Sequence, residues 1–320
     1  MAGKHKAAPR GSAYDEITAR ILAELEKGKV PWSRPWVGDG WPRNLDGKRY
    51  RGINVLLLAI SDYTSPHWGT YKAINDHSGR VRRGERGTRI FVWRPETDEE
   101  TRRRIEREAK RGAGNDEPRP LRPILDSDTH WIVSSHMLFN AAQCDGLQQL
   151  DVAPPPRTIT PIAAADMLIA GMPDCPPIRE AGERAFWRPA TDTITTPPRK
   201  SFRSDASYYS TVFHELTHAT ASPKRVGRKV EDYSFNLHAR TEEELIAEMG
   251  ASFLRAEAGI DSPDDDSNSV AYIADWMGQI KADKTLVVRA AKAAQKAADY
   301  ILGAHAVEMT PPGESLNQAA

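Results

Sequence analysis

The spacing of apolar residues predicts a first amphipathic helix over residues 14–27, where Ile17, Ile21, Leu22 and Leu25 share one stripe and Gly28 supplies a stop. The next stretch, VPWSRPWVGDGWPRN, is aromatic and rich in turn formers. It leads through Gly47 to an apolar run, Ile53 to Ile60, long enough for a buried helix or strand, with helix the favoured reading. From Gly79, GRVRRGERGTRIFVWRP reads as a basic turn followed by a strand, with Ile90 and Val92 alternating with Arg89, Phe91 and Trp93 until Pro95 ends the run. HWIVSSHMLFN (130–140) predicts a second strand. Between the two strands, residues 96–123 are almost devoid of apolar side chains, so an exposed charged excursion is expected there.

A proline-rich stretch, DVAPPPRTITP (151–161), predicts an extended linker and divides the chain into residues 1–152 and 153–320. Beyond it the pattern is mainly helical. Asp205–Ala221 and Thr241–Ala258 read as helices, and Ser267–Leu302 as one long helix or two in succession, with an alanine face at 290, 291, 294, 297 and 298. FWRPATDTITTPP (186–198) reads as a short hairpin or edge strand. The expected class is α+β: a mixed α/β N-terminal domain, then a mainly helical one.

Composition sharpens this picture. With 320 residues, 39% hydrophobic and 28% charged, the chain is globular in character, and no apolar run approaches the ~20 residues of a bilayer crossing. Met1 to Arg10 is basic without an apolar continuation, unlike a secretory signal. Two cysteines, Cys144 and Cys175, are too few for a disulfide framework, which points to a cytoplasmic setting. The net charge of zero hides a split: residues 1–150 hold 26 Lys+Arg against 20 Asp+Glu, and the remainder 18 against 24. Six of the eight tryptophans lie in the basic part, a combination suited to single-stranded nucleic acid. The expected contacts are Trp32, Trp36, Trp41, Arg43, Arg49, Tyr50, Arg51, Arg82, Arg83 and Arg86; with Lys48 and Arg89 they form a pool of which no more than half is expected to touch DNA, because several members will be core.

The acidic part carries His214-Glu215-Leu216-Thr217-His218, an HExxH sequence. On a helix its histidines, four residues apart, face one Zn²⁺, and Glu215 is the candidate general base. The longer HExxHxxGxxH pattern fails, since Ala221 and Lys224 occupy its glycine and third histidine slots. The third ligand is therefore sought in TEEELIAEMGASFL. Glu244 is the expected ligand and Glu248 the residue that orients a histidine behind it. The alternative is that Glu244 closes a capping box on Thr241 and Glu248 binds the metal. Tyr233 is a candidate oxyanion donor.

Eight segments in order, PWSRPW (31–36), WPRNLDGKRYRGIN (41–54), HWGTYKAIN (67–75), GRVRRGERG (79–87), LFNAAQCDGL (138–147), YYSTVFHELTHAT (208–220), EEELIAEMGASFL (242–254) and YIADWMGQIKADK (272–284), resemble the ArdC-type antirestriction proteins. They are also similar to the N-terminal part of TraC-type plasmid primases. The resemblance implies an N-terminal domain that binds single-stranded DNA and a C-terminal zincin-like metallopeptidase domain, gluzincin-like, with His214, His218 and Glu244 on zinc and Glu215 as catalyst. It also implies a plasmid or phage protein that shields incoming DNA, with a host restriction protein as a candidate substrate or target. The charged stretch 96–123 and the Leu216-Thr217 pair depart from the family pattern.

Overall fold

Ser12 opens the first helix, α1 (Ala13–Leu25), with a reciprocal cap: its hydroxyl accepts from Asp15 N at 3.2 Å, and Asp15 Oδ2 accepts from Ser12 N at 2.8 Å. The predicted stripe of Ile17, Ile21 and Leu25 is buried. In this computed structural model the described residues are 12–32, 41–61, 63, 65–112, 131–147, 150, 159–228, 236–260 and 267–303. Tertiary contacts divide them into two compact units, one of residues 12–90 and 137–303 and one of residues 91–136.

In the larger unit the apolar run forms helix α2 (Ile53–Ala59), the favoured of its two readings. Gly52 starts it at φ 56°, a backbone region that disfavours side chains, and its N–H donates to Gln295 Oε1 at 3.0 Å. Strand β1 (Arg43–Asn44) pairs in parallel with β2 (His67–Gly69), which α3 (Tyr71–Asp76) follows. Strand β3 (Arg80–Val81) begins the basic turn, and β4 (Thr88–Pro95) is the strand predicted after it. After helix α4 (Asp98–Gly112), which belongs to the smaller unit, come β5 (Trp131–Asn140) and β6 (Cys144–Asp145), the latter pairing antiparallel with β3. The four-stranded sheet runs β1-β2-β5-β4. Leu58, Trp68, Ile90 and Leu138 form a core cluster, and Leu45, Ile74, Ala141, Cys144 and Leu147 form another.

In the smaller unit, the expected charged excursion is helical at its start. Arg94 grips Glu100 through two contacts of 2.5 and 2.7 Å, and Glu100 Oε2 accepts from Thr97 N at 3.0 Å. A cap with ion pairs supports a helix that has no apolar stripe to bury. Residues 113–130 lie outside the described residues.

After the proline-rich stretch, Thr160 caps α5 (Pro161–Gly171), a helix that the linker reading does not predict. Strand β7 (Ile178–Glu180) pairs in parallel with the central strand β9 (Thr193–Thr196), and β8 (Phe186–Arg188) pairs antiparallel with β9 at the other edge. Helix α6 (Asp205–Ala219) is two residues shorter than predicted, because the chain turns back with Val226 N donating to Thr220 O at 3.0 Å. Helix α7 (Leu237–Ala258) starts four residues early. Asn236 caps it through His238 N and Ala239 N, and Gly259 ends it at φ 73°. Asp283 breaks the last apolar stretch into α8 (Ser267–Ala282) and α9 (Leu286–Ile301), its Oδ1 accepting from Thr285 N and Oγ1.

Helix α7 is the hub of the larger unit, packed on α6 and α9. The predicted alanine face of α9 is buried throughout, and small side chains there let the two helices approach closely. Gly250 does the same against α6: a Cβ at that position would lie 2.5 Å from Thr217 Cγ2 and 2.7 Å from its Oγ1. Residues from the N-terminal part complete this core. Trp32 meets Trp276 edge-on at 5.3 Å, Trp41 meets Phe253 at 5.5 Å, and Thr18 Oγ1 donates to Lys284 O at 2.9 Å.

Candidate metal centre

Four-residue spacing on α6 stacks His214 and His218 one turn apart, and the close crossing at Gly250 brings the first half of α7 over them. The two Nε2 atoms are 3.1 Å apart, and Glu244 Oε2 lies 3.5 Å from that of His214 and 3.8 Å from that of His218. Tetrahedral coordination with bonds of ~2.0–2.1 Å requires ligand separations of about 3.3 Å. The three donor atoms therefore fit one face of such a tetrahedron, and His214, His218 and Glu244 are the group among the described residues able to hold an ion.

The outer nitrogen of each ring meets a carboxylate. His218 Nδ1 lies 3.1 Å from Glu243 Oε1, and His214 Nδ1 lies 3.4 Å from Glu248 Oε1. A ring that donates from Nδ1 presents a lone pair at Nε2, so these partners aim both lone pairs at the same point. Burial opposes charge on His214, and the carboxylates of Glu244 and Glu248 outweigh it, raising its pKa well above the ordinary value. Burial likewise works to raise Glu244, and the two imidazoles hold it far below the usual carboxylate range.

Glu243 is itself clamped. Arg228 reaches it from the loop after α6 with Nη2 at 2.6 Å and Nε at 3.1 Å, while Nη2 also donates to Thr217 O at 2.9 Å and Nη1 to Thr220 Oγ1 at 2.5 Å. One guanidinium thus ties the end of α6 to the carboxylate that orients His218. Because α7 begins at Leu237, Thr241 sits inside the helix and the capping-box alternative for Glu244 does not form.

Glu215, next to His214 on α6, reaches the small sheet. It is 7% exposed, and its Oε2 accepts from the Trp187 backbone N–H of edge strand β8 at 2.8 Å. Arg225 holds that edge in place: its buried guanidinium binds Asp192 twice, at 2.9 and 2.8 Å, and donates to Ala219 O at 2.8 Å. Trp187 Nε1 adds a 3.1 Å bond to Asp192 Oδ1.

The expected DNA contacts are dispersed. Trp32 and Trp41, 1% and 7% exposed, are core residues whose rings face Trp276 and Phe253, so neither offers a face to a base. Arg49 pairs with Glu257 at 2.6 Å and lies over the Trp41 ring, and Arg51 pairs with Asp299. Arg43 donates to Trp41 O, and Tyr50 is half-buried beside the same indole. Arg82 is held by the carbonyls of Ala142 and Cys144. Arg83 and Arg86 are exposed, with no side-chain partner among the described residues. Trp36 and Tyr233 lie outside the described residues.

This fold and chain order recur in the crystal structure of the antirestriction protein ArdC from plasmid R388 in its metal-free form. The match is at 32% identity and TM-score 0.69, over 91% of this chain and 97% of that one. The chain belongs to the ArdC antirestriction family. The Mn(II)-bound structure of R388 ArdC matches at 31% identity and TM-score 0.67, over 93% and 100% of the two chains. Residues 11–122 match the N-terminal domain of anti-restriction factor ArdC, and residues 164–293 match the zincin-like metallopeptidase family. A DNA primase TraC of Escherichia coli is 32% identical over 300 residues, and a second is 30% identical over 310. The chain spans 27% and 20% of the length of those two primases. The Sinorhizobium fredii protein y4eC is 29% identical over 303 residues, covering 90% of this chain and 91% of y4eC.

In this ArdC-family chain the structure brings together His214, His218, Glu244 and Glu248, which the motif singles out, and adds Glu243, Arg228, Trp187, Asp192 and Arg225, which it does not. Only Glu243 left a trace, as the middle of three consecutive glutamates in a helix that is otherwise largely apolar.

Proposed function

We propose that the chain binds single-stranded DNA, carries a zinc peptidase centre, and protects incoming plasmid or phage DNA from restriction in the host cytoplasm. On this reading residues 1–152 serve DNA binding and residues 153–320 hydrolysis, with a host restriction protein as substrate or target. The observation that carries the peptidase reading is the convergence of His214 Nε2, His218 Nε2 and Glu244 Oε2, with Glu215 at the adjoining sheet edge.

Zinc bound there would acidify water and polarise a carbonyl at neutral pH. The chain's own contribution begins with Glu243 and Glu248, which fix the ring orientations of His218 and His214. Glu215 then takes a proton from the attacking water and delivers it to the leaving amine. The Trp187 N–H holds that carboxylate in one rotamer, and Arg225 with Asp192 holds Trp187.

A second reading is a DNA-binding shield without proteolysis. Its support is the Glu215 carboxylate itself, which is buried and already bound to a backbone N–H. Glu215→Gln separates the two when bound metal, DNA affinity and survival of DNA transferred into a restricting host are measured together. The peptidase reading expects metal and DNA binding retained and protection lost. Full protection by the variant overturns it in favour of the shield. Among the described residues no helix is long and apolar enough to cross a membrane.

A further inference from the structure

We propose that the surface built by the loop 82–89, the end of β5 and the start of α3 is the seat for a short stretch of single-stranded DNA. This rests on the single-strand reading above and moves it away from the tryptophans. Its deeper part is a cleft of about 400 Å³ lined by Glu16, Arg20, Gly87, Thr88, Arg89 and Met137.

The charge of the cleft is positive. Arg89 pairs with Glu16 at 2.8 Å, whereas the Arg20 guanidinium is held by two carbonyls, Arg89 O at 2.7 Å and Leu57 O at 2.9 Å. Two guanidiniums therefore share one carboxylate. On the same loop Arg83 and Arg86 extend into solvent with no side-chain partner among the described residues, and Lys72 is exposed at the start of α3. These cations suit phosphates.

The loop is braced before any strand arrives. Gln143 Nε2 donates to Arg86 O and to Glu85 Oε2, both at 3.0 Å, and Arg82 is anchored on the Ala142 carbonyl. Gly87 lies so near β5 that a Cβ would stand 3.1 Å from Leu138 O and 3.2 Å from both Met137 Cε and Phe139 Cζ. Beside it Met137 and Tyr71 are 43% and 57% exposed, and Tyr71 stands edge-on to Phe139 at 6.5 Å. An apolar ledge flanked by unneutralised arginines matches a strand whose base faces are free, since stacking needs an open π-face and phosphate contact needs cations alongside. In a duplex those faces are covered by their neighbours.

The test is fluorescence-anisotropy titration of the full chain with a fluorescein-labelled oligo-dT at two salt concentrations. The variants are Met137→Glu, Tyr71→Ala and the pair Arg83→Ser with Arg86→Ser, with Lys200→Ser and Lys296→Ser together as a control on exposed cations elsewhere. Met137→Glu and Tyr71→Ala are each expected to weaken binding about tenfold. The arginine pair is expected to lower the salt slope by about 1.4, as two lost single-strand phosphate contacts should, and the control to bind as the native chain does. Circular dichroism melts verify that the variants fold, and crosslinking by 4-thiothymidine within the oligonucleotide should fall on Tyr71 or Met137 in the native chain. Binding by the native chain that none of the three variants weakens overturns this seat while the single-strand reading stands. Failure of the native chain to bind the strand overturns both.

Discussion

Two regions rich in arginine and aromatic residues meet opposite ends in this molecule. Around residues 32–51 the indoles face Trp276 and Phe253, and Arg49 and Arg51 find Glu257 and Asp299 on α7 and α9. Around residues 71–89, Arg83 and Arg86 are exposed with no side-chain partner among the described residues, and Tyr71 is 57% exposed. The same residue types are thus closed in one place and open in the other. Whether an arginine can serve an external anion depends on what distant sequence brings beside it, and local composition says little about that.

The largest expected effect follows from the closed region. Trp32→Ala removes a buried indole and should cost about 3–5 kcal/mol of stability in urea or thermal unfolding, whereas Tyr71→Ala should fall within about 0.5 kcal/mol of the native chain. Equal costs at the two positions would erase the contrast. Next, Gly250→Ala inserts a methyl group against the Thr217 side chain, and overpacking there should destabilise by about 1–3 kcal/mol. The same substitution should weaken metal binding, because it shifts the helix that carries Glu244. An unchanged melt with unchanged metal affinity would mean that α7 has slack at the crossing.

Glu243→Gln sharpens the contrast on the closed side. It removes the charge that orients His218 and leaves Arg228 without its carboxylate, so metal affinity measured by chelator competition should drop about 10–100-fold with the fold intact. An unaltered affinity would show that the ring is oriented by packing alone. The smallest effect concerns pH. Burial tends to raise the pKa of Asp192, but the bonds from Arg225 and Trp187 outweigh it and hold the group below its ordinary 3.8. A lowered pKa contributes stability above the unfolded value and loses it as pH falls through the folded one. Acid unfolding below about pH 4 should therefore lose part of its pH dependence in Asp192→Asn, and identical acid profiles would remove Asp192 from the account.

Much of the fold was readable where a period met a local stop signal. The stripe of α1, the apolar run of α2, the two long strands and the alanine face of α9 are all sites where one face must be buried and the chain nearby supplies a cap, glycine or proline. Boundaries slipped where a side-chain cap replaced the expected signal, as at Asn236, or where the chain closed on itself, as at Thr220. The strands β1, β2, β3, β6 and β7 are two or three residues long and carry no period at all.

The sequence by itself determined the helices with a clear period, α1, α6, α7 and α9, and the spacing of the motif: HExxH sets both imidazoles on one helical face regardless of surroundings, and the carboxylates that follow lie on a second helix. Only the tertiary structure decided that Glu244 meets the histidines while Glu243 and Glu248 stand behind them, because neighbouring glutamates differ only in which way the helix is turned at the crossing. It also decided which tryptophans are core and which arginines remain charged to the outside, because burial and ion pairing depend on residues some two hundred positions away that local patterning cannot see.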